Sequence, residues 1–224
     1  MFLWFTFRSN EVGRGYGTLL RVIYGALAAG ALLCGVLLES LLVRDVVAGL
    51  VALLALVAIW WGPKWRDLIP VAVGSVGLIA AAVDAGGNTT VSILRILVGV
   101  AFLGAVSDAM LLGHWYLVQP GMPRRLLNEI VRMVLWILPF EVFVLLLPTG
   151  MISAIKGTVD DGWNGTLAWF WVACAIGTGV LAAVTLAALK EKSYSAVMAA
   201  TGLMYLAILT AFGTDLVACA VLAG

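Results

Sequence analysis

The sequence predicts an all-α, polytopic integral membrane protein: a bundle of about seven transmembrane helices with a cytoplasmic N-terminus and an exported C-terminus. Three observations predict it. Hydrophobic residues make up 63% of the 224-residue chain and charged residues 11%, against about 25% charged residues in ordinary soluble domains. The apolar residues gather into runs near ~20 long, the length that crosses a bilayer as a helix. The basic residues fall mostly into alternate connectors, as they do when short loops face the cytoplasm. The mean hydropathy of +1.11 agrees with the first two.

The runs lie near 18–42, 45–61, 68–83, 91–118, 130–148, 166–189 and 194–222, and together they make 18–224 a single transmembrane domain. The second and third are the shortest, at about 16 residues, where a tilted or re-entrant segment competes with a full crossing. Between the runs, Gly62-Pro63, Pro120-Gly121 and 84-DAGGNTT-90 read as turns, the last with capping residues for the fourth helix. Residues 1–17 carry Trp4 and several phenylalanines beside Arg8 and Arg14, the pattern of an interfacial segment on the cytoplasmic surface.

Seven crossings place Arg8, Arg14, Arg21, Lys64, Arg66, Arg124, Arg125, Arg132, Lys190 and Lys192 on one face and Arg44, Arg95 and Lys156 on the other. Dropping a single span would invert every later loop and destroy that segregation. Tryptophans follow the same scheme: Trp60, Trp61, Trp65 and Trp115 sit at the cytoplasmic ends of spans, and Trp163, Trp169 and Trp171 near the outer start of the sixth, as in aromatic belts. The expected location is a bacterial cytoplasmic (inner) membrane.

Charge and motif exclude several classes. The net charge of +1 provides no field for nucleic acid, and neither phosphate-loop nor RNA-module signatures occur. Cys34, Cys174 and Cys219 lie inside spans without metal-ligand spacing and read as small core residues, so no metal is expected. A lone histidine excludes a bis-histidine haem within the chain, and the seventh span has no lysine for a retinal Schiff base. There is no convincing internal repeat.

Candidate functional residues are the ionisable groups inside spans, because a charge at the centre of a membrane helix costs on the order of 2.5–3.5 kcal/mol on insertion scales. Asp108 lies near the middle of the fourth span, Glu141 and Asp215 in the outer halves of the fifth and seventh, Arg95 one turn inside the fourth and Glu39 near the end of the first. Arg95 paired with Glu141 or Asp215 is the structural reading. A proton or cation path is the functional one. The stretch 107-SDAMLLGHWYLVQPGMPRR-125 gives a second candidate, in which His114, Trp115, Tyr116 and Arg124 contact a quinone, a lipid headgroup or a haem edge at the cytoplasmic interface. On the helix, His114 shares a face with Ser107, Met110 and Leu111, and Asp108 shares another with Trp115. Ala175, Gly179, Ala183 and Ala187 recur every four residues, a strip for close helix packing.

Three functions follow, in order. The first is a non-catalytic subunit packed among other integral membrane subunits of a larger assembly, such as a respiratory or photosynthetic electron-transfer complex, because the loops are short and few polar residues lie in the spans. The second is a small-solute or proton/cation-coupled transporter using Asp108, Glu141 and Asp215, with Pro139 as a helix-breaking hinge. The third is a quinone- or haem-binding redox subunit centred on His114. No catalytic set is present, so no enzymatic activity of its own is expected; a quinone or bound lipid is the cofactor the sequence allows.

Overall fold

The computed structural model describes residues 5–6, 12–38, 41–60, 67–84, 87–119, 121–148, 150–159 and 162–223, and every regular element among them is helical. In chain order the helices are α1 (Arg14–Leu38), α2 (Leu42–Trp60), α3 (Leu68–Asp84), α4 (Thr89–Val118), α5 (Arg125–Leu146), α6 (Gly150–Ile155), α7 (Thr166–Ala188) and α8 (Tyr194–Ala223). Five of them, α1, α2, α4, α7 and α8, are long and apolar enough to cross a membrane, and the chain is a multi-pass integral membrane protein. The second run, expected to be about 16 residues, forms a 19-residue helix of that kind. The third gives the 17-residue α3, short of the other five. α5 spans 22 residues but carries Arg125, Glu129, Arg132 and Glu141.

A feature the sequence reading did not anticipate is α6, a six-residue helix inside what reads as a connector. Hydropathy over so short a stretch resembles a loop. Most of the expected interfacial segment, including Trp4 and Arg8, lies outside the described residues, as do Glu39, Trp61, Lys64, Trp65 and Arg66.

The chain divides into two compact units, Met1–Leu97 and Val98–Gly224. In the first, α1 packs on α2 and α2 on α3. Glycines make these crossings close: a Cβ on Gly25 would lie 3.5 Å from that of Ala55, and one on Gly77 only 2.7 Å from Val47 Cγ1. Two ion pairs are formed among the described residues of this unit. Arg21 donates from Nε to Asp67 Oδ1 (3.0 Å) and from Nη2 to Asp67 Oδ2 (2.9 Å), the planar fork that matches a carboxylate. Arg44 Nε donates to Asp45 Oδ1 at 3.0 Å in the first turn of α2, where a carboxylate also suits the helix dipole.

In the second unit α7 and α8 form an antiparallel hairpin and α5 packs on α7. The hairpin is held close by a Cβ-less surface: a Cβ on Gly213 would lie 2.7 Å from Cys174 Sγ, and one on Gly177 would lie 3.5 Å from Thr210 Cγ2. Thr178 Oγ1 donates to the Cys174 carbonyl (2.9 Å) and is 2.7 Å from Thr210 Oγ1, so these hydroxyls are satisfied in the helix interior. α4 and α8 run antiparallel, with Gly113 receiving Thr201 (Oγ1 2.9 Å from a Cβ built on the glycine) and Gly99 receiving Asp215. Outward faces carry side chains such as Leu37, Leu209 and Leu216, the exposure expected where lipid is the solvent.

Capping follows local chemistry. Asn88 Oδ1 accepts from the Val91 N–H at 3.3 Å, so Asn88 caps α4 as the turn sequence predicts. Gly165, at φ 81, precedes α7 in a left-handed conformation that glycine adopts without steric cost.

Candidate functional site

Glu141 lies five residues before the end of α5 and is fully buried (0% exposed). Neither of its carboxylate oxygens has a hydrogen-bond partner among the described residues. Asp215, half-buried on α8, faces the same point from another helix. The point is Gly99 of α4: a Cβ built there would lie 2.9 Å from Asp215 Oδ1 and 3.6 and 3.8 Å from Glu141 Oε1 and Oε2. Three helices thus bring two carboxyl groups together over a backbone that carries no side chain. Any other residue at position 99 would occupy the space in which Asp215 sits.

One helical turn along, Leu145 follows Glu141 and Ala218 follows Asp215 on the same helix faces. Both belong to an apolar layer with Met151, Ala154, Ala168, Trp171 and Val221, which closes the pair from that end of the unit. α6 supplies two of its members, Met151 and Ala154. Thr214, next to Asp215 in the chain, is fully buried, and its hydroxyl donates to the Thr210 carbonyl at 2.9 Å.

Two like charges brought together in a low-dielectric interior repel strongly and lose their hydration. Such a pair calls for a proton or a small cation held between the groups. Among the described residues no group of three or more His, Cys, Asp or Glu side chains is placed to hold a metal ion.

Of the residues singled out from sequence, Glu141 and Asp215 are brought together. Arg95 is half-buried on α4 and belongs to the first unit. Asp108 is fully buried but lies roughly 13 Å along the α4 axis from Gly99, at 1.5 Å rise per residue.

The four residues of the aromatic candidate turn to separate partners. His114 is exposed, with Nδ1 3.3 Å from the Tyr205 hydroxyl and the rings edge-on. Trp115 Nε1 donates to Gln119 Oε1 at 3.1 Å. Tyr116 is buried and its hydroxyl donates to the Pro123 carbonyl. Arg124 donates to the carbonyls of Glu191 and Ser193, the latter at 2.9 Å, and so clasps the α7–α8 turn.

The small-residue strip of α7 is divided. Ala175 is buried, a Cβ on Gly179 would meet Leu138 at 3.2 Å, and Ala183 and Ala187 are exposed. Cys174 is buried, and Cys34 and Cys219 are exposed. Trp163 and Trp169 are exposed, whereas Trp171, read from sequence as part of an interfacial belt, is only 3% exposed: it turns toward α5 and α8 instead of toward lipid.

Sequence reasoning missed Gly99, Trp171 and Tyr205. Gly99 left one signal, a glycine in the interior of a long helix, where it is less favourable than alanine by roughly 0.5–1 kcal/mol and so invites a packing reason. The other two left none, since a membrane helix pattern does not distinguish an inward aromatic residue from an outward one. No protein-family model, curated protein or solved structure is significantly similar to the chain.

Proposed function

We propose that the protein is a proton-coupled transporter of a small solute, with Glu141 and Asp215 as its proton-binding pair. The observation that carries this reading is the fully buried Glu141 carboxyl, unpartnered among the described residues and facing Asp215 over Gly99. Ionisable groups kept inside a membrane bundle against their insertion cost mark ion and proton pathways. A proton fits better than a metal ion, because hard cations take six or more oxygen ligands and no group of three or more His, Cys, Asp or Glu side chains is placed to hold one among the described residues.

The topology that accompanies this reading has seven crossings in a bacterial cytoplasmic membrane, α6 not among them, with the N-terminus inside. Ten basic residues on one face against three on the other support it, and the acid pair then lies in the outer half of the membrane. A reporter active only in the cytoplasm, fused after Gly224, is expected to be silent.

The assembly-subunit reading rests on short loops and exposed apolar faces, and lipid alone accounts for both. The redox reading rests on His114, whose aromatic neighbours engage separate groups.

The test is proton movement in liposomes containing the purified protein and a pH-sensitive dye, with a panel of small solutes added outside. Glu141→Gln and Asp215→Asn, which keep shape and remove the titratable group, are expected to lower solute-dependent proton movement by about 100-fold at unchanged abundance. Wild-type rates in Glu141→Gln overturn the reading.

A further inference from the structure

Among the described residues, three buried side-chain polar atoms lack a hydrogen-bond partner: Glu141 Oε1, Glu141 Oε2 and Trp171 Nε1. They belong to two residues of one unit and to adjoining layers of it. Trp171 shares a buried cluster with Leu145, one turn beyond Glu141, and Ala218, one turn beyond Asp215. The hairpin register agrees: α8 Gly213 faces Phe170 and Cys174 of α7, so Trp171 is level with the stretch of α8 that carries Asp215. The atoms are two acceptors and one donor, and buried polar groups in native proteins are almost always satisfied, by water where protein supplies no partner.

We infer that Trp171 is a positioning residue of the acid site, where its indole N–H holds a small hydroxylic guest, water in the first instance, that donates onward to the Glu141 carboxyl. This rests on the proton-binding reading of Glu141 and Asp215.

The chemistry of the three atoms selects the guest. It must accept a hydrogen bond from an indole, which only donates, and donate one to a carboxyl oxygen. A metal ion or an ammonium group accepts nothing, and an anion is repelled by the acids. An apolar molecule satisfies neither side. A hydroxyl does both, and water is the smallest species that carries one and has a second proton to pass on.

The step is balanced without any redox change. A proton that binds the guest oxygen is matched by another that the guest releases to a carboxylate oxygen of Glu141. The guest is regenerated, and Trp171 keeps its own N–H throughout. The apolar layer around Trp171 confines the guest to this one route, since Leu145, Met151, Ala154 and Ala218 offer it no side-chain hydrogen bond.

The experiment uses the full chain in nanodiscs with its nine tryptophans labelled with nitrogen-15 at the indole. Trp171→Phe, which keeps an aromatic ring and removes the donor, identifies the Trp171 resonance by its disappearance. Magnetisation transfer from water to that N–H, and its exchange into deuterated solvent well ahead of the core backbone amides, is the expected result. An indole N–H that shows no transfer from water and stays protected as long as the core amides overturns the inference, and Trp171→Tyr supplies the assignment where Trp171→Phe does not fold. In the liposome assay, folded Trp171→Phe is expected to move protons about tenfold more slowly. Wild-type rates in Trp171→Phe with loss in Glu141→Gln refute the role of Trp171 and leave the acid pair standing. Wild-type rates in both variants refute the two together.

Discussion

The two units treat charge in opposite ways. In the first, Arg21 closes on Asp67 through two hydrogen bonds and Arg44 on Asp45 through one. In the second, Glu141 lies inside a helix, fully buried, with its oxygens unpartnered among the described residues, and its neighbour is another acid. A closed pair is finished chemistry and does structural service. The open pair is the feature on which the proton-binding proposal rests. Glycines make room for polar groups in both units: Gly35 lies against the closed Arg44–Asp45 pair, whereas Gly99 lies against the open pair of Asp215 and Glu141.

The largest effect that can break this comparison is expected from Glu141→Leu. Replacing a buried, unpartnered carboxyl by an apolar group of similar length should abolish proton movement and stabilise the fold by about 1–3 kcal/mol, because the desolvation penalty disappears. A denaturation midpoint below wild type would mean that Glu141 is a structural group satisfied in the folded protein.

Next in size is Arg21→Ala, which leaves Asp67 buried (side chain 4% exposed) without its fork. A loss of about 2 kcal/mol is expected in the same denaturation assay, with proton movement per folded molecule unchanged. Reduced transport at full folding would show that the first unit also carries function.

Gly99→Ala sharpens the comparison from the other side. Its Cβ must displace the Asp215 carboxyl, at a cost of about 1–2 kcal/mol. The double variant Gly99→Ala/Asp215→Ala, in which the displaced group is gone, should recover most of that loss. Additive losses in the double variant would place the clash elsewhere.

The smallest effect belongs to Tyr205→Phe, which removes an exposed hydrogen bond to His114. A change under about 0.5 kcal/mol and unaltered proton movement are expected. A large loss of transport would move His114 from the margin of the molecule to its mechanism.

Much of the fold was legible because each membrane helix announces itself by composition over about 20 residues. The seven apolar runs fall on α1 to α5, α7 and α8, five of which are long and apolar enough to cross a membrane, whereas α6 is too short for composition to distinguish from a loop. Glu141 and Asp215 were legible as costly residues, and their meeting was not. A hydropathy pattern gives depth along a helix but not azimuth about the bundle, so the sequence groups Arg95, Glu141 and Asp215 by depth without saying which side chains face one another. Gly99 sets that azimuth, and a single glycine among small and branched neighbours carries too little information to reveal it. His114 illustrates the same limit in reverse: Trp115 and Tyr116 are adjacent to it in the chain, yet successive residues on a helix point about 100° apart, and Tyr205, distant in sequence, is the residue that meets it.

The position of Asp215 on α8 also has a consequence for biogenesis. Ribosomes deliver α4 and α5, with Gly99 and Glu141, well before α8, so during synthesis the Glu141 carboxyl enters the lipid phase ahead of the helix that completes its surroundings. The Arg124 clasp on the α7–α8 turn is likewise unavailable until that hairpin has emerged. A nascent chain halted before α8 therefore holds Glu141 without Asp215 beside it and Arg124 without the carbonyls it grips in the finished fold.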